Sequence, residues 1–234
     1  MPRKRQPDRI DKIADAATAT FIRDGFALAK VSQIAHAAGV GPGTLYLYAE
    51  GKEALFDLAL RRAFEDPTLW DLKLPHPSPL PGALADHLWR CLQNAAHFPL
   101  LWLGTESPPP EDPAIEVEGI LRELYSWLFR YRRGIQLLGR CAGDWPEAGQ
   151  VFHRRFWRGG VRRIGDYLVR RMSEGAIPAR GDGLASAHFV VESVAWMAVH
   201  REWSADGADI SGDLALRTTL ELLVPALTHR NDHS

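Results

Sequence analysis

Apolar residues recur at three- and four-residue steps along most of the chain. No stretch sustains the period-two alternation, rich in β-branched residues, of a half-buried strand, so essentially no sheet is expected. The first predicted helix covers about 8–24, with Ile10, Ile13, Ala14, Ala17 and Phe21 on one face. Gly25 stands where a glycine cap would close it, and Phe26 and Leu28 follow as loop anchors. A second, short helix covers Val31 to Ala38 and breaks at Gly39. Pro42 suits the first turn of a third, Gly41 to Tyr48, because its missing N–H costs nothing there. A fourth runs from Lys52 to about Glu65 on Leu55, Phe56, Leu58, Ala59 and Ala63.

Proline then dictates the punctuation. Pro67, Pro75, Pro77, Pro79 and Pro81 exclude a continuing helix between 66 and 82, and Pro108, Pro109, Pro110 and Pro113 interrupt again. Helical patterns fill about 83–97, 114–133, 146–174, 184–204 and 213–230. The expected architecture is all-α, with an N-terminal three-helix unit over 1–52 and a larger helical bundle over 53–234.

Composition, 46% apolar and 24% charged, is that of an ordinary globular protein. No apolar run approaches the roughly 20 residues that span a bilayer, and no apolar segment follows the basic start MPRKRQPDR. A cytoplasmic protein without a membrane partner is expected. Cys91 and Cys141 are too few for a disulfide framework and too far apart for paired zinc spacing, so no metal is expected. Charge is uneven: residues 1–62 hold ten Lys/Arg against seven Asp/Glu, and the rest eighteen against twenty-two. A mildly basic head on an acidic body suits a small DNA-facing module attached to something with another task. Arg3, Lys4 and Arg5 make either a minor-groove arm or a solvating tail.

The stretch Gly39-Val40-Gly41-Pro42-Gly43 raises the question of a phosphate loop. A Walker loop needs a glycine five residues before its Gly-Lys and a hydroxyl residue after it. Gly51-Lys52 has Tyr46 and Glu53 in those places. A dinucleotide fingerprint needs a preceding strand, and helices flank this stretch. Helix-turn-helix geometry, by contrast, is satisfied throughout. Ala35 is small where the two helices cross, Gly39 can take the left-handed turn, Val40 plugs it, and Ile34 and Leu45 bury the two helices together. The second helix would then enter a major groove. Gly41, Pro42 and Gly43 allow close approach, Thr44, Tyr46 and Tyr48 offer hydroxyls, Gln33 and His36 reach the duplex edge, and Lys52 adds charge.

Those residues resemble a family. From about Ile10 to Leu60 the chain is similar to the N-terminal domain of TetR-type transcriptional regulators, on Ala35, Gly39, Val40, Gly43-Thr44-Leu45-Tyr46 and Lys52-Glu53-x-Leu55. The resemblance implies that Thr44, Tyr46 and Lys52 contact the DNA backbone. The chain departs from the family at Ala49, where a phenylalanine is usual, and at Gly51, where a polar residue is usual. Either Phe21, Phe26 or Phe56 fills the seam, or the recognition helix sits slightly differently.

All eight tryptophans lie outside the DNA-reading unit. The resemblance implies an effector pocket, and Trp89, Phe98, Trp102, Trp127, Tyr131, Phe152 and Phe156 lie on the helices that would surround it. Such a lining suits flat apolar or cationic ligands. Arg154, Arg158 and Arg162 read as a solvated face or an anion-binding one. The last two helices are strongly apolar, and Phe189, Val190, Val194, Met197, Leu220, Leu223 and Leu227 are the candidate homodimer interface, with burial inside the monomer as the alternative. No catalytic motif is present, and His229 and His233 stand in a polar tail. The expected function is that of a homodimeric, ligand-responsive repressor on a palindromic operator in double-stranded DNA, without cofactor or catalysis. The alternatives are a DNA-binding dimer controlled by a protein partner and a small-molecule-binding protein whose N-terminal unit is scaffold.

Overall fold

Helices α1 (Pro7–Leu28), α2 (Val31–Ala37), α3 (Pro42–Leu45) and α4 (Lys52–Ala63) come first in the computed structural model, which describes residues 7–229. Arg3, Lys4, Arg5 and His233 lie outside the described residues. A 3-10 turn (Pro67–Asp71) leads to α5 (Ala83–Ala95), α6 (Pro99–Glu106), α7 (Pro113–Arg130), α8 (Arg132–Cys141) and α9 (Pro146–Gln150). After a π-helical turn (Val151–Trp157) come α10 (Arg158–Ser173) and α11 (Gly183–Ala195), a second π-turn (Trp196–His200), α12 (Ala205–Ala208) and α13 (Gly212–Thr228). The fold is all-α: an N-terminal helix-turn-helix followed by a larger helical bundle. Among the described residues no helix is long and apolar enough to cross a membrane.

Four expectations need correction. The third helix stops at Leu45, three residues before Tyr48, and continues only as turns. Helix α6 adds an element to which periodicity assigns no helix; Pro99 opens it, but its run Leu100-Leu101-Trp102-Leu103 has no period to read. The 114–133 pattern is two helices, broken at Tyr131, with α8 beginning beyond it. The 146–174 and 184–204 patterns each contain a π-turn.

The chain clusters into two compact units, Met1–Ala95 with Arg133–Arg154, and Ala96–Arg132 with Arg155–Ser234. In the first, the predicted face of α1 is buried against α4. Helix α4 is buried without interruption from Ala54 to Leu60, so its side chains face neighbours all round. Phe21, Phe26, Phe56 and Trp145 form an aromatic cluster with ring centroids 5.3–5.5 Å apart. Gly134 lets α8 press on Phe64; a Cβ there would lie 2.6 Å from the ring.

In the second unit α10 packs closely on α11 through Gly165 and Gly183. Arg171 is fully buried on α10 and binds Glu116 of α7 through two hydrogen bonds, of 2.7 and 2.8 Å, and Glu174 at 2.7 Å. Tyr167 donates to the same Glu116 at 2.9 Å. A charge fully removed from water survives only with such complete pairing.

Candidate nucleic-acid interface

Helices α2 and α3 make the predicted turn. Gly39 takes φ +65°, and the Gly39 N–H donates to the His36 carbonyl at 3.0 Å while that of Val40 donates to Ala35 at 3.0 Å. Ile34, Ala35 and Leu45 are buried as the geometry requires. Gly41, Pro42, Gly43, Tyr46 and Leu47 are exposed, and Thr44 is half-buried. A Cβ added at Gly41 or Gly43 meets nothing within 4 Å, so the start of α3 is an open surface that another molecule can approach.

Three predicted contact residues have specific surroundings. Gln33 is exposed, and its Oε1 caps α2 by accepting the Lys30 N–H at 2.9 Å, which leaves its amide NH2 group outward. Lys52 donates to the Ala27 carbonyl at 3.0 Å and lies 4.6 Å over the Phe26 ring, so it ties the start of α4 to the end of α1. Tyr48, expected on the exposed face, is buried at 7% exposure. The early end of α3 is the reason: its last turn carries Tyr48 inward.

What holds that last turn is a contact that periodicity does not encode. The proline-rich segment crosses it. The His76 N–H donates to the Tyr48 carbonyl at 2.8 Å, and the Glu50 N–H donates to the His76 carbonyl at 3.0 Å, a single parallel bridge at Ala49. His76 Nε2 also meets Asp57 of α4 at 2.6 Å. Burial alone would raise the Asp57 pKa, but the His76 hydrogen bond and neighbouring Arg61 outweigh it and hold the carboxyl below its ordinary range. The departures at 49 and 51 now have a physical account. Ala49 is fully buried under the crossing backbone, and a Cβ at Gly51 would lie 3.5 Å from Ser78 Oγ and 3.3 Å from Glu53. Small residues make room for the strap, and Phe21, Phe26 and Phe56 pack on one another and on Trp145.

The aromatic residues proposed for a pocket divide between the units. Trp89 and Phe152 fall in the first. In the second, Trp127 gathers Phe98, Tyr131 and Phe156 at centroid distances of 5.7, 5.2 and 5.3 Å, while Trp102 is exposed. Also in that unit, Val117, Ile120, Leu121, Ile164, Leu168 and Val190 line an almost filled apolar gap. Of the candidate interface residues Phe189 is exposed, Met197 and Leu227 are half-buried, and Val190, Val194, Leu220 and Leu223 are buried within their own unit. Phe189 on α11, Trp196 on the π-turn that follows it, and Leu214 and Leu222 on α13 are exposed; of these, Phe189 and Leu214 belong to the apolar pattern of the last two predicted helices, whereas Trp196 and Leu222 do not.

Residues 13–59 match the tetR family of bacterial regulatory proteins. The fold is similar to that of a ketosteroid transcriptional regulator of Mycobacterium tuberculosis, with a TM-score of 0.58 and 16% identity over 95% of this chain and 96% of that one. It is also similar to a TetR-like transcriptional regulator from Rhodococcus sp. RHA1, with a TM-score of 0.52 and 18% identity over 96% and 98% of the two chains. Residues 13–59 thus match the tetR family of bacterial regulatory proteins, and over nearly its whole length the chain is similar in fold to TetR-like transcriptional regulators.

Proposed function

We propose that the chain is a cytoplasmic, ligand-responsive repressor that binds a palindromic operator as a homodimer and catalyses nothing. Residues 1–52 read DNA, and residues 53–234 bind the effector and the second copy. The observation that carries this reading is the open start of α3, where Gly41, Pro42 and Gly43 stand exposed behind a left-handed turn at Gly39. Such a surface admits a phosphate backbone, with Thr44 and Tyr46 donating to phosphate oxygens and the outward amide of Gln33 reaching the groove edge. Lys52 contributes charge from behind, one of its three donors being spent on Ala27. Tyr48 supports the turn from inside.

A homodimer is supported by exposed Phe189, Trp196, Leu214 and Leu222, since two reading heads need a two-fold axis to reach successive major grooves, about 34–36 Å apart. For the effector, the cluster of Phe98, Trp127, Tyr131 and Phe156 favours a flat apolar molecule, which would shift the population away from the DNA-competent state.

Fluorescence anisotropy with DNA from upstream of the protein's own coding region, at several salt concentrations, tests the reading. Sequence-specific binding that weakens as salt rises is expected. Equal affinity for unrelated DNA at every salt would overturn it.

A further inference from the structure

Beneath the proline-rich segment the first unit holds a set of buried polar side chains that DNA reading does not use. Asp66 caps the 3-10 turn after α4, and His87 and Cys91 stand one turn apart on α5, all three buried. His87 Nε2 lies 3.0 Å from Cys91 Sγ and 3.2 Å from Asp66 Oδ2. The three donor atoms are within 4.8 Å of one another.

One imidazole nitrogen facing both a thiol and a carboxylate cannot serve both. Protonated, it donates to Asp66 and cannot accept the thiol proton. Unprotonated, it accepts from the thiol and turns a lone pair on the carboxylate. A metal ion removes the conflict, because sulfur, nitrogen and oxygen lone pairs then converge on one centre. A tetrahedral zinc ion, with bonds of about 2.3 Å to sulfur and about 2.0–2.1 Å to nitrogen and oxygen, holds its ligands about 3.3–3.6 Å apart. The present spacing is short of that by about half an ångström at most, within the reach of small side-chain rotations.

The surroundings point the same way. Asp57 and Asp66 share the Arg61 guanidinium at 2.9 Å each, so one cation serves two carboxylates. Asp57 Oδ1 is buried and takes no hydrogen bond among the described residues, although the side chain is 3% exposed. Asp66 accepts from Arg61 and from the Thr68 N–H and hydroxyl, so the unmet acceptor of the cluster is Asp57 Oδ1.

We propose that Asp66, His87 and Cys91 bind one divalent, thiophilic metal ion of the zinc class. The Cys91 proton is released to solvent on binding, and water fills the fourth position. The ion would pin the end of α4 to α5. This site stands independently of the DNA-binding reading.

The test is cobalt(II) added to chelator-treated full-length protein, followed by zinc competition. One equivalent per chain with a thiolate-to-cobalt charge-transfer band is expected, displaced by zinc. Cys141→Ser should keep the band, and since the chain has two cysteines this assigns it to Cys91 even where a Cys91 variant fails to fold. Cys91→Ser should abolish the band, and His87→Ala should weaken zinc at least a hundredfold. The proposal is overturned by the absence of stoichiometric binding, by a bound ion with no thiolate band, or by a band that dies with Cys141→Ser.

Discussion

Two glycines carry backbone that other residues resist. Gly25 sits at φ 77°, ψ 162° inside α1, a region essentially restricted to glycine. Gly25→Ala should cost about 1–3 kcal/mol of stability. Gly39, at φ +65°, has open space around it, so Gly39→Ala pays strain alone, about 1–2 kcal/mol. Urea unfolding measures both, and a cost below about 0.5 kcal/mol at either would contradict the assignment. Gly39 was legible in the sequence because a turn between two apolar-faced helices needs a left-handed residue. Gly25 was legible only as a helix end; its extended ψ kinks α1, and helical hydrogen bonding resumes to Leu28. The metal-ligand candidates were not legible. His87 and Cys91 have helical spacing, but Asp66 joins them only through the packing of α4 against α5.

At the scale of elements, the strap over α3 and the ion pair between α7 and α10 make opposite demands on volume and charge. Ala49→Phe, which restores the usual family residue, should destabilise by about 1–3 kcal/mol through overpacking beneath His76. A stabilised variant would show that the strap does not require alanine. Arg171→Ala strands Glu116 beside Tyr167 and should cost about 3–5 kcal/mol, whereas Arg171→Met should cost less only when paired with Glu116→Gln. Double-mutant unfolding cycles check this. Helices with an apolar stripe, α1 above all, were readable from sequence. Helix α4 was readable as a helix, but the all-round burial of its middle, Ala54 to Leu60, was not, because it depends on neighbours brought from residues 67–76 and beyond.

Across the whole molecule, burial sets opposing pH limits. Burial holds the His200 pKa below the ordinary 6.5, against a smaller opposing pull from Glu192. The unfolded chain therefore takes up the proton first, and stability present above pH 6.5 falls as the pH drops through that value. Burial pushes the Cys141 thiol up from 9.0 to about 11, so the unfolded chain loses that proton first and stability falls above pH 9. Melting temperature should be highest between those limits, and a maximum well outside them in a thermal scan would refute the account. The composition of the first unit, which takes residues 133–154 to complete a core begun by 1–95, is a property of tertiary packing that no local period encodes.

Contact between DNA and the open start of α3, as proposed above, is probed by Gly43→Asp. A Cβ there meets nothing within 4 Å and Gly43 is exposed, so the variant should melt within a few degrees of the parent. It also sets a carboxylate where a phosphate is to lie. Anisotropy titrations with the upstream DNA should show at least tenfold weaker binding for Gly43→Asp. Unchanged affinity in a folded variant would contradict the assignment of this surface to DNA.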